Sequence, residues 1–200
     1  MSETQLANSN NQHTEEINNK TLLGFWVYLM TDLIMFAALF ASYVALRNNT
    51  YGGPGGSELF SLRFVLIETL ILLTSSFTCG LGMLGVYSGQ KKQVLGWFLV
   101  TALLGAAFLT MEVYEFRHLI LEGHGPQKSA FLSAFFSLIG MHGLHILAGV
   151  VWMFINLVMV YKKGLTSAIV SELSRLSLFW HFLDIVWIFI FTIVYLFGVM

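Results

Sequence analysis

Asp32, Glu68, Glu112, Glu115, His118, His142, His145, His181 and Asp184 all lie inside long apolar runs of this 200-residue chain. On insertion scales a charged group at the centre of a membrane helix costs about 2.5–3.5 kcal/mol, so each must serve a function or a contact. Two chemistries suit these residue types. The first is metal binding: Glu115-x-x-His118 has the spacing of the Glu-x-x-His element of di-iron carboxylate bundles, and His142-x-x-His145 could add two ligands. A dinuclear site needs a second such element at the same depth, and the chain has one copy, so hydrogen-bonded packing is the favoured reading of the histidines. The second is proton transport, with Asp32 and the His181/Asp184 pair as candidate carriers; the same groups could instead fix helix register through hydrogen bonds. There is no GxSxG, no phosphate-binding glycine loop and no Ser or Cys nucleophile paired with a base.

Helices must position these groups, and the last stretch, Ser177 to Met200, shows how. Its 24 residues suffice to cross a hydrocarbon core of about 30 Å. His181 and Asp184 are three apart and share a face, while Trp180 and Trp187 put two indoles beside the carboxyl. A helix with such a polar seam needs a partner to cover it, which points to an assembly. Counting rise along each helix, Asp32, His142 and His145 fall near mid-membrane, and His181 with Asp184 about 5–10 Å from the inner surface. Glu68 and Glu112 fall toward the outer surface, with Glu115 and His118 at the interface. The expectation is two polar layers rather than one cluster.

Composition sets the class. Hydrophobic residues make up 56% and charged residues 10% of the chain, with a mean hydropathy of +0.75; soluble domains carry about 25% charge. The expected fold is all-α, an integral membrane bundle of five helices over about 22–46, 62–87, 94–118, 131–161 and 177–199. Residues 1–21 are expected to form a polar, mobile cytoplasmic tail and residues 22–200 one membrane domain. Asn48 to Gly56 and Leu121 to Ser129 read as breaks. Ser76–Gly80, Gly82/Gly85 and Thr101–Gly105 supply small residues for close backbone approach. Trp26, Trp97 and Tyr161 sit at span ends, as an interfacial belt requires. Lys and Arg number six on the side of the N-terminal tail and four on the other, which places the N-terminus in the cytoplasm and the C-terminus in the periplasm. A net charge of −1 argues against nucleic acid as a partner, and the single cysteine, Cys79, reads as a small packing residue.

Three motifs resemble one family. Trp180-His181-Phe182-x-Asp184-x-x-Trp187 is similar to the closing helix of subunit III of haem–copper terminal oxidases, Gly140-x-His142-Gly143-x-His145 to its preceding helix, and Glu112-x-x-Glu115 to the helix before that. The five-span form resembles the cytochrome bo-type ubiquinol oxidase branch, and Asp32 stands where many cytochrome c oxidase relatives carry glutamate. The resemblance implies a non-catalytic subunit of a proton-pumping respiratory quinol oxidase in a bacterial inner membrane. It further implies no cofactor in this chain, haems and copper in the catalytic subunit I, and phospholipid and other oxidase subunits as partners. Asp32, Glu68, Glu112, Glu115, His142, His145, His181 and Asp184 become candidates for polar seam, lipid cleft or proton uptake. A di-metal membrane oxygenase and a small-solute carrier are the alternatives.

Overall fold

The computed structural model describes the backbone of residues 3–50 and 62–199, and side chains over 20–50 and 62–198. It is helical: α1 (Glu3–Leu46), α2 (Leu62–Tyr87), α3 (Lys91–Leu121), α4 (Ala130–Lys163) and α5 (Ser167–Ile190). A π-helical turn, Phe191–Leu196, and a last α-turn, Phe197–Val199, complete the described chain. Among the described residues, five stretches are long and apolar enough to cross a membrane: Lys20–Leu46, Leu62–Tyr87, Lys91–Leu121, Ala130–Lys163 and Ser167–Leu196.

Two compact units are distinguished, Met1–Met35 and Phe36–Met200. In the first, α1 is helical from Glu3, so the segment expected as a mobile tail continues the helix of the span. Once a helix is nucleated, each added residue costs only its own propensity. Most of the break expected at Asn48 to Gly56 lies outside the described residues.

In the second unit, α2 packs on α3, α3 on α4, α4 on α5, and α5 returns to α2, with the π-turn also against α2. Short connections between antiparallel neighbours produce this ring. Gly89, at φ 68°, closes α2 just before α3 begins at Lys91. Gly164, at φ 75°, closes α4. The Ser129 hydroxyl caps α4 by accepting from the Leu132 N–H at 3.1 Å. Thr166 caps α5, so this helix starts ten residues before the expected boundary at Ser177. The polar stretch read as a connection forms its first turns, with Arg175 paired to Glu172 one turn back.

Each ring helix is apolar on both sides because one side meets protein and the other meets lipid. On α2, Val65, Leu72 and Cys79 are buried while Leu66, Leu70, Phe77 and Leu84 are exposed. Interior and lipid are equally apolar, so close fit rather than a hydrophobic difference must hold the ring together. Among the described residues, glycine supplies the fit at several places. A β-carbon on Gly82 would meet the Phe98 ring at 2.8 Å, one on Gly105 the Trp180 indole at 2.6 Å, and one on Gly149 the same indole at 3.0 Å. Gly80, expected to act with Ser76 as a close-approach pair, faces open space.

Candidate functional site

The polar seam of α5 is covered by α2 of the same chain. Thr69, Ser75, Ser76 and Cys79 line the facing side of α2, spaced at helical intervals. Trp187 Nε1 donates to Thr69 Oγ1 at 3.1 Å and Trp180 Nε1 to Ser75 Oγ at 3.1 Å. His181 Nδ1 and Ser76 Oγ are 2.6 Å apart, and Cys79 Sγ lies 3.7 Å from Ser177 Oγ. Asp184 is within range of the same Ser76 hydroxyl and of His181. The indoles therefore serve α2 hydroxyls instead of the Asp184 carboxyl, whose Oδ1 has no protein hydrogen-bond partner. Hydroxyls one helix away cover most of this face within the chain. The hydroxyl ladder continues to α3, where Ser75 Oγ donates to the Thr101 carbonyl at 3.2 Å and Thr78 Oγ1 meets Thr101 Oγ1 at 2.8 Å.

Nearer the other end of the ring, carboxyls from two helices converge on the π-turn. Tyr195, fully buried, donates its phenol O–H to Glu115 Oε2 at 3.1 Å. Glu68 on α2 and Glu112 on α3 lie within electrostatic range of Glu115 and of that phenol. Glu68 is 0% exposed, and neither carboxyl oxygen has a protein hydrogen-bond partner. The Glu112 carboxyl lies against α4, where a β-carbon on Gly143 would come within 2.7 Å of Oε1. Only glycine leaves that space, which gives Gly143 its place between the two histidines.

His142 is buried with its ring stacked on Trp187, centroids 5.3 Å apart at 27°, and edge-on to Phe108 at 6.1 Å. Trp187 in turn lies 6.3 Å from Tyr195. The two expected layers are thus joined through one indole. His145 turns away: its Nδ1 is 2.8 Å from the Met141 carbonyl, and its ring lies beside Phe36 and Phe179. Glu115 and His118 part company as well, since His118 is exposed and pairs with Glu122 at 3.5 Å. Among the described residues, no group of three or more His, Cys, Asp or Glu side chains is arranged to hold a metal. In the first unit, Asp32 is buried and hydrogen-bonded to the Tyr28 phenol one turn earlier.

Sequence reasoning missed Tyr195, Thr69, Ser75 and Thr78. Tyr195 is one aromatic in a long apolar run with nothing to mark it in sequence, and it lies buried in the π-turn. The hydroxyls leave a weak signal, their spacing of three and six residues along α2. Glu68 offers a clean measurement. Removing a buried carboxyl that has no protein partner removes a desolvation cost, so Glu68→Met should leave the thermal midpoint unchanged or raise it, by up to about 3 kcal/mol of stability. A lowered midpoint in detergent would mean that the carboxyl is bonded.

The sequence profile of the family described as cytochrome c oxidase subunit III matches residues 3–199. The chain belongs to that family. It is 57% identical over 180 residues to the cytochrome bo(3) ubiquinol oxidase subunit 3 of Pseudomonas putida, covering 90% of this chain and 87% of that one. The protein of the same name from Pseudomonas aeruginosa is 54% identical over 93% of this chain and 89% of its own. Quinol oxidase subunit 3 of Bacillus subtilis is 43% identical over 96% and 94%. In this member of the subunit III family, Glu68, Glu112, Glu115, His142, His181 and Asp184 sit in helix contacts: the α2–α5 seam, the carboxyl–Tyr195 cluster and the His142–Trp187 stack.

Proposed function

We propose that this chain is the non-catalytic subunit III of a proton-translocating ubiquinol oxidase in a bacterial inner membrane. The observation that carries the reading is the family match over residues 3–199, with relatives above 50% identity named as ubiquinol oxidase subunits. Its role is to support the catalytic subunit I, which holds the haems and copper, and to hold phospholipid at its exposed apolar faces. Long, exposed apolar side chains along every span, Phe77, Leu103, Leu144 and Ile185 among them, suit both lipid and neighbouring subunits. The N-terminus lies in the cytoplasm and the C-terminus in the periplasm, following the Lys/Arg bias, with residues 22–200 as the membrane domain. Asp32, a carboxyl in the middle of its span, is the candidate for supporting proton uptake.

The chain is expected to co-purify, by an affinity tag in mild detergent, with haem-bearing subunits and quinol oxidase activity. Deleting it should leave an oxidase that still turns over but loses activity faster on heating. Purification without any haem-bearing companion, or stoichiometric iron or copper in the isolated chain, would overturn the reading.

A further inference from the structure

Between α3 and α4 a groove of about 230 Å³ opens outward. Leu109, Val113 and Phe116 form one wall and Leu144 and Leu147 the other. Val113, Leu144 and Leu147 are 63%, 61% and 49% exposed, so the mouth faces lipid or a membrane neighbour. Its one charged-type group is the carboxyl of Glu112, which is 3% exposed and whose Oε2 has no protein hydrogen-bond partner. Gly143 sets that carboxyl deep by letting it lie against the α4 backbone.

An occupant must come from the membrane, fill an apolar slot and bring one group that can bond a carboxyl oxygen. Depth narrows the choice. Glu112 is nine residues from the end of α3, about 13 Å, and that helix overhangs a 30 Å core by about 8 Å at each end. The carboxyl therefore lies roughly 5 Å below the hydrocarbon edge, beneath the glycerol esters of phospholipids. Size narrows it further. An apolar cavity of about 150 Å³ accepts benzene, so 230 Å³ suits one substituted six-membered ring.

We propose that this groove binds the ring of a lipid-soluble quinol, its hydroxyl donating to the Glu112 carboxyl and its tail running out into lipid. The site holds or stages quinol on the accessory subunit and involves no redox step here. The inference rests on the quinol oxidase reading above.

The test uses the intact oxidase in liposomes and a ubiquinol analogue carrying a diazirine on its tail next to the ring. After illumination, labelled peptides are mapped by mass spectrometry. Label is expected on Leu109–Phe116 and Gly140–Leu147, suppressed at least five-fold by excess ubiquinol and unaffected by excess dioleoyl phosphatidylcholine. Gly140→Val should fill the groove, because a β-carbon there meets only Phe116 at 3.7 Å. Label on those segments should then fall at least five-fold while the variant assembles with normal haem content. Glu112→Leu should reduce the label similarly. Label confined to other subunits, equal competition by phospholipid, or full labelling of Gly140→Val would each overturn the proposal. Should the chain fail to co-purify with haem-bearing subunits, the subunit reading fails first, and the two failures are distinguishable.

Discussion

Gly105→Val should release this chain from its complex, whereas Gly80→Ala should be harmless. Trp180 is 1% exposed and held on three sides. Gly105 of α3 lies under one edge, Gly149 of α4 under another, and Ser75 of α2 takes its N–H at 3.1 Å. A β-carbon at Gly105 comes within 2.6 Å of Cη2, 2.9 Å of Cζ2 and 3.2 Å of a Val150 methyl. A rigid ring so enclosed cannot step aside without breaking the bond to Ser75 or prying α3 from α4. Overpacking typically costs about 1–3 kcal/mol; the two further methyls of valine put Gly105→Val at or above the upper end. Gly105→Ala should fall inside that range, less the roughly 1 kcal/mol that alanine gains over glycine in a helix. At Gly80 a β-carbon meets nothing within 4 Å, so only that gain remains. Thermal unfolding of the purified oxidase, followed by loss of this chain from the complex, reads the difference. Equal midpoints for Gly105→Ala and Gly80→Ala would show that Trp180 is not seated as described.

Trp187→Ala is the second large effect. The indole is fully buried, stacked on His142 at 5.3 Å, met edge-on by Phe108 at 4.7 Å, and bonded through Nε1 to Thr69. In soluble cores a Trp or Phe cut to Ala costs about 3–5 kcal/mol, part transfer and part cavity. Lipid is as apolar as this interior, so the transfer part shrinks and about 3 kcal/mol remains as lost contacts and cavity. Trp187→Phe keeps a ring and loses the N–H, and hydrogen bonds between membrane helices average about 0.6 kcal/mol with a maximum near 1.7. A double-mutant cycle of Trp187→Phe with Thr69→Val isolates that coupling. A cycle energy of zero, or a Trp187→Ala midpoint equal to that of Trp187→Phe, would contradict this packing. The ranking follows from rigidity: the ring is worth more as a filler of space between helices than as a donor.

Much of this was legible in the residues. Five long apolar runs broken by glycine- and asparagine-rich or charged stretches fix five spans, because a helix is the one local way to satisfy a backbone in hydrocarbon. The intramembrane acids and histidines announced themselves by their cost. The motifs on α3, α4 and α5 carried the family. Element ends were less legible. Thr166 and the Glu172–Arg175 pair start α5 earlier than its apolar run does, and the helix of α1 runs back through polar residues to Glu3.

What the chain alone determines, then, is class, span number and family, because those follow from hydropathy over about 20-residue windows and from motif order. Which polar group meets which was decided by the tertiary fold. His118 and Glu115 share a motif yet point apart, one to Glu122 on the surface and one to Tyr195 in the interior. The α5 seam needs a cover, and most of it comes from hydroxyls of α2, about a hundred residues earlier in the chain. The physical reason is the solvent. In hydrocarbon every face of a span reads as apolar, so sequence periodicity does not separate interior from exterior, and only packed side chains do.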